Sequence, residues 1–135
     1  MNLFNLTQRR LMLSDLKLAE MPWEKLFGLL LAKQLEKGQG LMLKDCSCVH
    51  TFGMRFRLDL IFLDSHDRVV HMITCLEPNR ISPWIRNAKS VIEMPADSLC
   101  ETGVIMNDKL LICSEQVVLK LVKKTLLSVI KWHPN

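Results

Sequence analysis

No run of apolar residues approaches the ~18 that a membrane-crossing helix needs. The longest such stretch, Leu26 to Ala32, stops at Lys33. Glycine and proline are scarce, five of each in 135 residues. They mark short connections and leave no flexible linker between domains. No internal repeat or low-complexity segment is present. No P-loop, GxGxxG, GxSxG or HExxH occurs, which removes the commonest nucleotide-binding, hydrolase and metalloprotease signatures. No CxxC pair occurs either, and the five cysteines (46, 48, 75, 100 and 113) are an odd number. Only Arg9 and Arg10 are basic among the first ten residues, and no long apolar region follows them. A secretory signal is therefore not expected, and the expectation is a cytoplasmic protein with reduced thiols.

Net positive charge is nearly missing from most of the chain. The net charge is +4, but Ser114 to Asn135 holds Lys120, Lys123, Lys124 and Lys131 against Glu115 alone. That tail carries +3 and the first 113 residues carry +1. A near-neutral body argues against a nucleic-acid partner, because neutralising phosphates needs a basic face.

A chain of this length suits one domain that buries roughly two-thirds of the surface its unfolded form exposes. The charged fraction, 24%, is that of a folded globular protein. The alternation around Leu16 and Leu18 predicts a strand over Asp15 to Glu20. Pro22 opens a predicted helix with Trp23, Leu26, Phe27 and Leu30 on one face. It ends before Lys37-Gly38-Gln39-Gly40, read as a turn. The clearest strand signal is Phe52 to Phe62, where every even position is apolar and Arg55, Arg57 and Asp59 share the other side. Asp64 to Asp67 supplies a turn, and Val69 to Leu76 returns as a strand covered on both faces. Ser90 to Met94 and Lys109 to Cys113 read as strands, with a helical turn over Asp97 to Glu101 between them. Ser114 then caps a helix over residues 115–131. Its Val118, Val122, Leu126, Val129 and Ile130 form an apolar stripe opposite the lysines, and Trp132 and Pro134 close it.

The fold class that follows is mainly β with short helices (α+β). It is a small β-sandwich or distorted barrel over residues 1–113, plus a C-terminal amphipathic helix over residues 114–135. The helix is expected to pack on its own β body. A second copy of the chain, or a membrane surface reached through residues 115–132, are the other ways to cover the stripe.

Cys46, Cys48 and His50 would share one side of an extended segment. Their spacing of roughly 6.6 Å is too long for one metal with bonds near 2.3 Å, so no metal is expected there and no cofactor is implied. The cysteines are expected to be small buried hydrophobes. As the chemical alternative, either thiol would act as nucleophile with His50 as base, oriented by Asp59 or Asn79. His71, inside an apolar strand, is expected to be a satisfied core histidine. Pro78, Pro83 and Trp84 bracket a loop holding Asn79, Arg80, Ser82 and Arg86, which could bind a partner or cap the sheet. His50, Thr51, Arg55, Arg57 and Asp59 are the ligand-binding candidates, because guanidinium groups beside an imidazole suit a carboxylate or phosphate.

The segments Gly40-Leu41-Met42-Leu43, CSCVHTFGMRFRLDLIFLD from Cys46 to Asp64, Ser82-Pro83-Trp84 and Val91-Ile92-Glu93-Met94-Pro95-Ala96 resemble the prokaryotic family known as domain of unknown function 192. The resemblance runs from about Trp23 to Leu111. Its motif residues correspond to Gly28, Gly40, His50, Thr51, Met54, Asp59, Phe62, Asp64, Glu93 and Pro95. Some branches carry Trp where this chain has His50, so it resembles the His-Thr branch. Arg57 stands where a proline is usual, Leu31-Ala32 where Gly-Arg is usual, and Asp97 and Asn107 where Gly is common. The resemblance implies a compact, mainly β fold and no known activity. The functional expectation is a non-catalytic binding or accessory module for a small molecule or protein, with a small polar groove near His50, Arg55 and Asp59. The alternatives are an enzyme using a Cys/His pair and a protein that docks through its basic tail.

Overall fold

The computed structural model describes residues 1–19 and 34–131. The helix expected from Pro22 lies outside the described residues, as do Gly28, Leu31, Ala32, Trp132 and Pro134. Eight strands and two helices are described: β1 (Asn2–Asn5), β2 (Arg10–Leu13), β3 (Asp15–Ala19), β4 (Gln39–Lys44), β5 (Leu58–Leu63), β6 (Val69–Leu76), β7 (Ser90–Pro95), α1 (Ser98–Thr102), β8 (Leu110–Cys113) and α2 (Glu115–Ile130).

The strands form two sheets. One has the order β2-β1-β8 and the other β3-β4-β7-β5-β6. Among the described residues only the β3–β4 pair is parallel; the other pairings are antiparallel. The main core lies between the sheets. Leu3, Leu13 and Leu110 of the small sheet meet Leu16, Met42, Ile61, Ile92 and Met94 of the large one, and Leu99 of α1 joins them. A second cluster covers the far face of the large sheet, where Leu41, Leu43, Leu58, Leu60, Phe62 and Val91 pack under Val49, Met54 and Ala88. The result is an α+β sandwich, and among the described residues neither sheet closes into a barrel.

Central strands covered on both faces need apolar residues at every position. β5 follows this at five of its six positions, and all six are buried, Asp59 being the polar exception. It begins at Leu58, however, and not at Phe52. Residues 52–57 form a loop in which Phe52 is exposed and Phe56 half-buried. Met54, Leu58, Leu60 and Phe62 share one cluster, and Phe56 packs against it, as the alternation implied. Arg55 and Arg57 are therefore not on the strand beside Asp59.

β6 lies at the edge of the sheet, and most of its residues are half-buried. The expected cover on both faces is absent from it. His71 sets its ring edge-on to Phe62, centroids 5.7 Å apart. Of the segment read as a turn, Lys37-Gly38 does turn, with Gly38 at φ 84° and Gln39 N donating to the Glu36 carbonyl at 3.0 Å, whereas Gln39-Gly40 is already the start of β4. Gly40 is needed for closeness: a Cβ there would stand 2.6 Å from Leu13 Cδ1 and 3.2 Å from the Glu93 carbonyl oxygen. Asp97 and Asn107 do adopt left-handed φ, 74° and 72°, where glycine would be easiest.

Helix α2 departs most from expectation. Among its residues only Val118 is buried, packed with Phe4 and Cys113, and Leu121 rests against them. Val122, Leu126, Val129 and Ile130 are exposed. The first two turns dock on β1 and β8, and the rest stands clear of the described strands. The Ser114 hydroxyl makes no capping bond; its carbonyl oxygen accepts from the Val117 and Val118 amides instead.

Candidate functional site

After β4 the chain turns at Asp45, at φ 52°, and runs antiparallel to residues 80–85. The Val49 carbonyl accepts from Ser82 N at 2.8 Å, the Ser47 carbonyl from Ile85 N at 2.9 Å, and Thr51 N donates to the Arg80 carbonyl at 2.8 Å. His50 pairs across this ribbon with Ile81. The loop with Asn79 and Arg80 is thereby bound to the His50-Thr51 segment.

Thr51 is the clamp. It is fully buried, and its hydroxyl donates to the Glu77 carbonyl at 2.6 Å and accepts from Arg80 N at 3.0 Å. Its own carbonyl accepts from Asn79 N and Met54 N. The Asn79 side chain completes the turn by accepting from Gly53 N at 3.0 Å. His50 stacks obliquely near Phe52, centroids 5.2 Å apart, and its Nδ1 accepts from Phe52 N at 3.4 Å. That bond leaves Nε2 to carry the proton of the neutral ring.

On the same loops Arg55, Phe56, Arg57, Glu77 and Pro78 line an open hollow of about 460 Å³. Both arginines are exposed. Arg80 and Glu77 form an ion pair at 3.7 Å, which counts for little in water. The structure thus gathers His50, Thr51, Arg55 and Arg57 around residues 77–81.

It does not bring Asp59 there. Asp59 is fully buried. Its carboxylate accepts from Cys75 N and from Leu99 N, both at 2.8 Å. It ties β6 and α1 to β5, a structural role.

The thiols are turned toward backbone. Cys46 Sγ donates to the Cys48 carbonyl at 3.1 Å and Cys48 Sγ to the Ser82 carbonyl at 3.3 Å. Burial pushes the Cys46 thiol up, and the nearby Glu93 and Cys48 add to that against a backbone hydrogen bond that lowers it. A thiol held protonated is a poor nucleophile. Among the described residues no three His, Cys, Asp or Glu side chains converge as metal ligands.

One polar residue was not singled out as a site from the sequence. Glu93 points from the middle of β7 into the outer cluster, between Leu41 of β4 and Leu60 of β5. It is 1% exposed. Its Oε2 has no hydrogen-bond partner among the described residues. Burial pushes its pKa up to about 7. The available signal was a single acid inside Val91-Ile92-Glu93-Met94, since an acid in a fully buried strand must stay neutral or find a partner.

Two solved structures share this fold. A protein of unknown function from Novosphingobium aromaticivorans superposes with a TM-score of 0.70 at 18% identity, over 83% of this chain and 84% of that one. A protein titled a putative transcription regulator, from Sinorhizobium meliloti, superposes with a TM-score of 0.67 at 20% identity, over 82% and 89%. At such identities the likeness speaks for the fold alone. No curated protein matches in sequence. The model of the family DUF192 (Uncharacterized ACR, COG1430) matches residues 5–112, reaching further toward the N-terminus than the motif residues alone, and the chain belongs to that family.

Proposed function

We propose that residues 1–113 are a non-catalytic binding or accessory module whose ligand meets the loops holding His50, Thr51, Arg55 and Arg57. The observation that carries this reading is the hollow of about 460 Å³ with two exposed guanidinium groups on its rim. The loops beneath it are cross-braced by the buried Thr51, so the arginines stand on a held platform. Guanidinium forks suit a carboxylate or a phosphate. The ligand class is thus a small anion, or an anionic group on a protein. The raised Cys46 pKa and the backbone partners of both thiols favour this reading over a Cys/His enzyme. All five cysteines are free thiols, which fits the reducing cytoplasm.

The test is amide chemical-shift mapping of the protein at low ionic strength with inorganic phosphate and with citrate. Saturable shifts confined to residues 50–57 and 77–81, and lost in Arg55→Ala/Arg57→Ala, are expected. Shifts scattered over the surface, or none with either anion, would overturn it.

A further inference from the structure

Helix α2 carries two faces that the β body leaves unused. Leu119, Val122, Leu126, Val129 and Ile130 are all exposed, from 39% at Val122 to 67% at Ile130. Their spacing places them on one stripe along the helix. Beside the stripe, the Thr125 hydroxyl donates to the Leu121 carbonyl at 3.0 Å and Ser128 to the Thr125 carbonyl at 2.7 Å. These two hydroxyls have partners within the helix and do not depend on water. Lys120, Lys123, Lys124 and Lys131 share the other side, where they line a shallow groove with Leu127 and Ser128. The one acid of the helix, Glu115, is in its first turn.

The occupant of the stripe follows from area and charge. Among the described residues, the apolar side chains of α2 that pack on the β body are Val118 and Leu121. A second copy would meet a patch of five side chains, a few hundred Å², short of the roughly 800 Å² each partner gives to a stable complex. It would also bring a second helix of net charge +2 alongside the first. An anionic bilayer matches both faces at once. An apolar stripe lies in the acyl boundary, and lysines on the polar face meet the headgroups. A helix is only about 10 Å across, so even lysines on its far side stay near one Debye length from the phosphates. No helix among the described residues is long and apolar enough to cross the bilayer, so the mode is lying on the surface.

We propose that α2 is a peripheral anchor that docks this protein on an anionic lipid surface, Leu119, Val122, Leu126, Val129 and Ile130 entering the acyl boundary and Lys120, Lys123, Lys124 and Lys131 holding the headgroup layer. The anchor is independent of the loop site and places that site at a membrane.

The experiment is cosedimentation of the full chain with phosphatidylglycerol–phosphatidylcholine vesicles and with phosphatidylcholine vesicles. Leu126→Glu/Ile130→Glu and Lys123→Glu/Lys124→Glu serve as variants, with circular dichroism to verify the fold. Every substituted side chain is exposed, so the body should stay folded. Binding to the anionic vesicles only, weakened at least about tenfold in each variant and by high salt, is expected. Absence of binding to anionic vesicles, or binding that neither variant weakens, would overturn the proposal. A dimer in sedimentation velocity that Leu126→Glu/Ile130→Glu splits, without vesicle binding, would also overturn it and assign the stripe to a second copy.

Discussion

The Asp59 carboxylate holds the Leu99 amide at 2.8 Å across forty residues of sequence. Its other oxygen holds the Cys75 amide at the same distance, where β6 takes a positive φ of 51°. One buried side chain therefore sets both the entry into α1 and an irregular point of the edge strand. Asp59→Asn replaces one acceptor with a donor facing an amide N–H. It should cost about 2–4 kcal/mol in urea unfolding, since a buried donor left without acceptor carries its full desolvation penalty. Faster hydrogen exchange at Leu99 should accompany it. A variant that unfolds like the parent would show that the carboxylate is not holding these amides.

The residues that spoke plainly in the sequence were those whose period matched one element. β3, β7, β8 and α1 lie where alternation and the flanking Pro and Gly residues put them. The hairpin turn at Asp64 to Asp67 does too, closed by Asp64 accepting from His66 N and Arg68 N. Periodicity overran its element at Phe52 to Arg57, because a loop packing over a sheet can alternate as a strand does. That error put Arg55 and Arg57 beside Asp59. β1 and β2 were not legible. Each has four residues; β1 is held by distant partners, β8 and the Asn5–Asp108 hydrogen bond across 103 residues, and β2 is an edge strand that pairs with β1. Glycine in β4 was read as a turn because composition does not distinguish a bend from a close approach. For α2, the pattern revealed the stripe but carried no information on what lies against it. The loop platform around Thr51 depends on side chain to backbone bonds that no local pattern announces.

Thr51→Val tests that platform. The shape is kept, but the Glu77 carbonyl loses a donor and Arg80 N an acceptor. A loss of about 1–3 kcal/mol is expected. The Arg80 amide should exchange at least about tenfold faster, because the loop can then open locally. Unchanged exchange at Arg80 would mean that the ribbon pairing alone holds the loop.

Gly40→Ala tests the approach of β2 to β4. The added methyl would meet Leu13 Cδ1 at 2.6 Å and the Glu93 carbonyl at 3.2 Å. Leu13 is itself buried in the core between the sheets and has little room to turn away. Overpacking of this kind should cost about 1–3 kcal/mol in thermal or urea unfolding. A neutral substitution would show that the small sheet slides over β4 without resistance.

Glu93 should make the protein less stable as the solution turns from mildly acidic to alkaline. Its pKa is raised from 4.5 in the reference state to about 7 in the fold, and burial is the cause. Between those values the native state keeps a proton that the unfolded chain has released. The stability tied to this group is therefore complete below about pH 4.5 and is lost as the pH rises through 7. A shift of this size corresponds to about 3 kcal/mol across the window. Cys46 packs on the same cluster, but its thiol is pushed upward and stays neutral through this range. Glu93→Gln keeps the size and removes the proton, so its stability should be flat over the same pH range apart from other titrations. At pH 8 the variant should be the more stable of the two; at pH 4.5 the difference should shrink or reverse. Urea unfolding of both proteins at pH 5, 6, 7 and 8 measures it. Parallel stability curves for parent and Gln variant would show that the orphaned carboxyl finds a partner on ionising, and that β7 is not carrying a neutral acid at its centre.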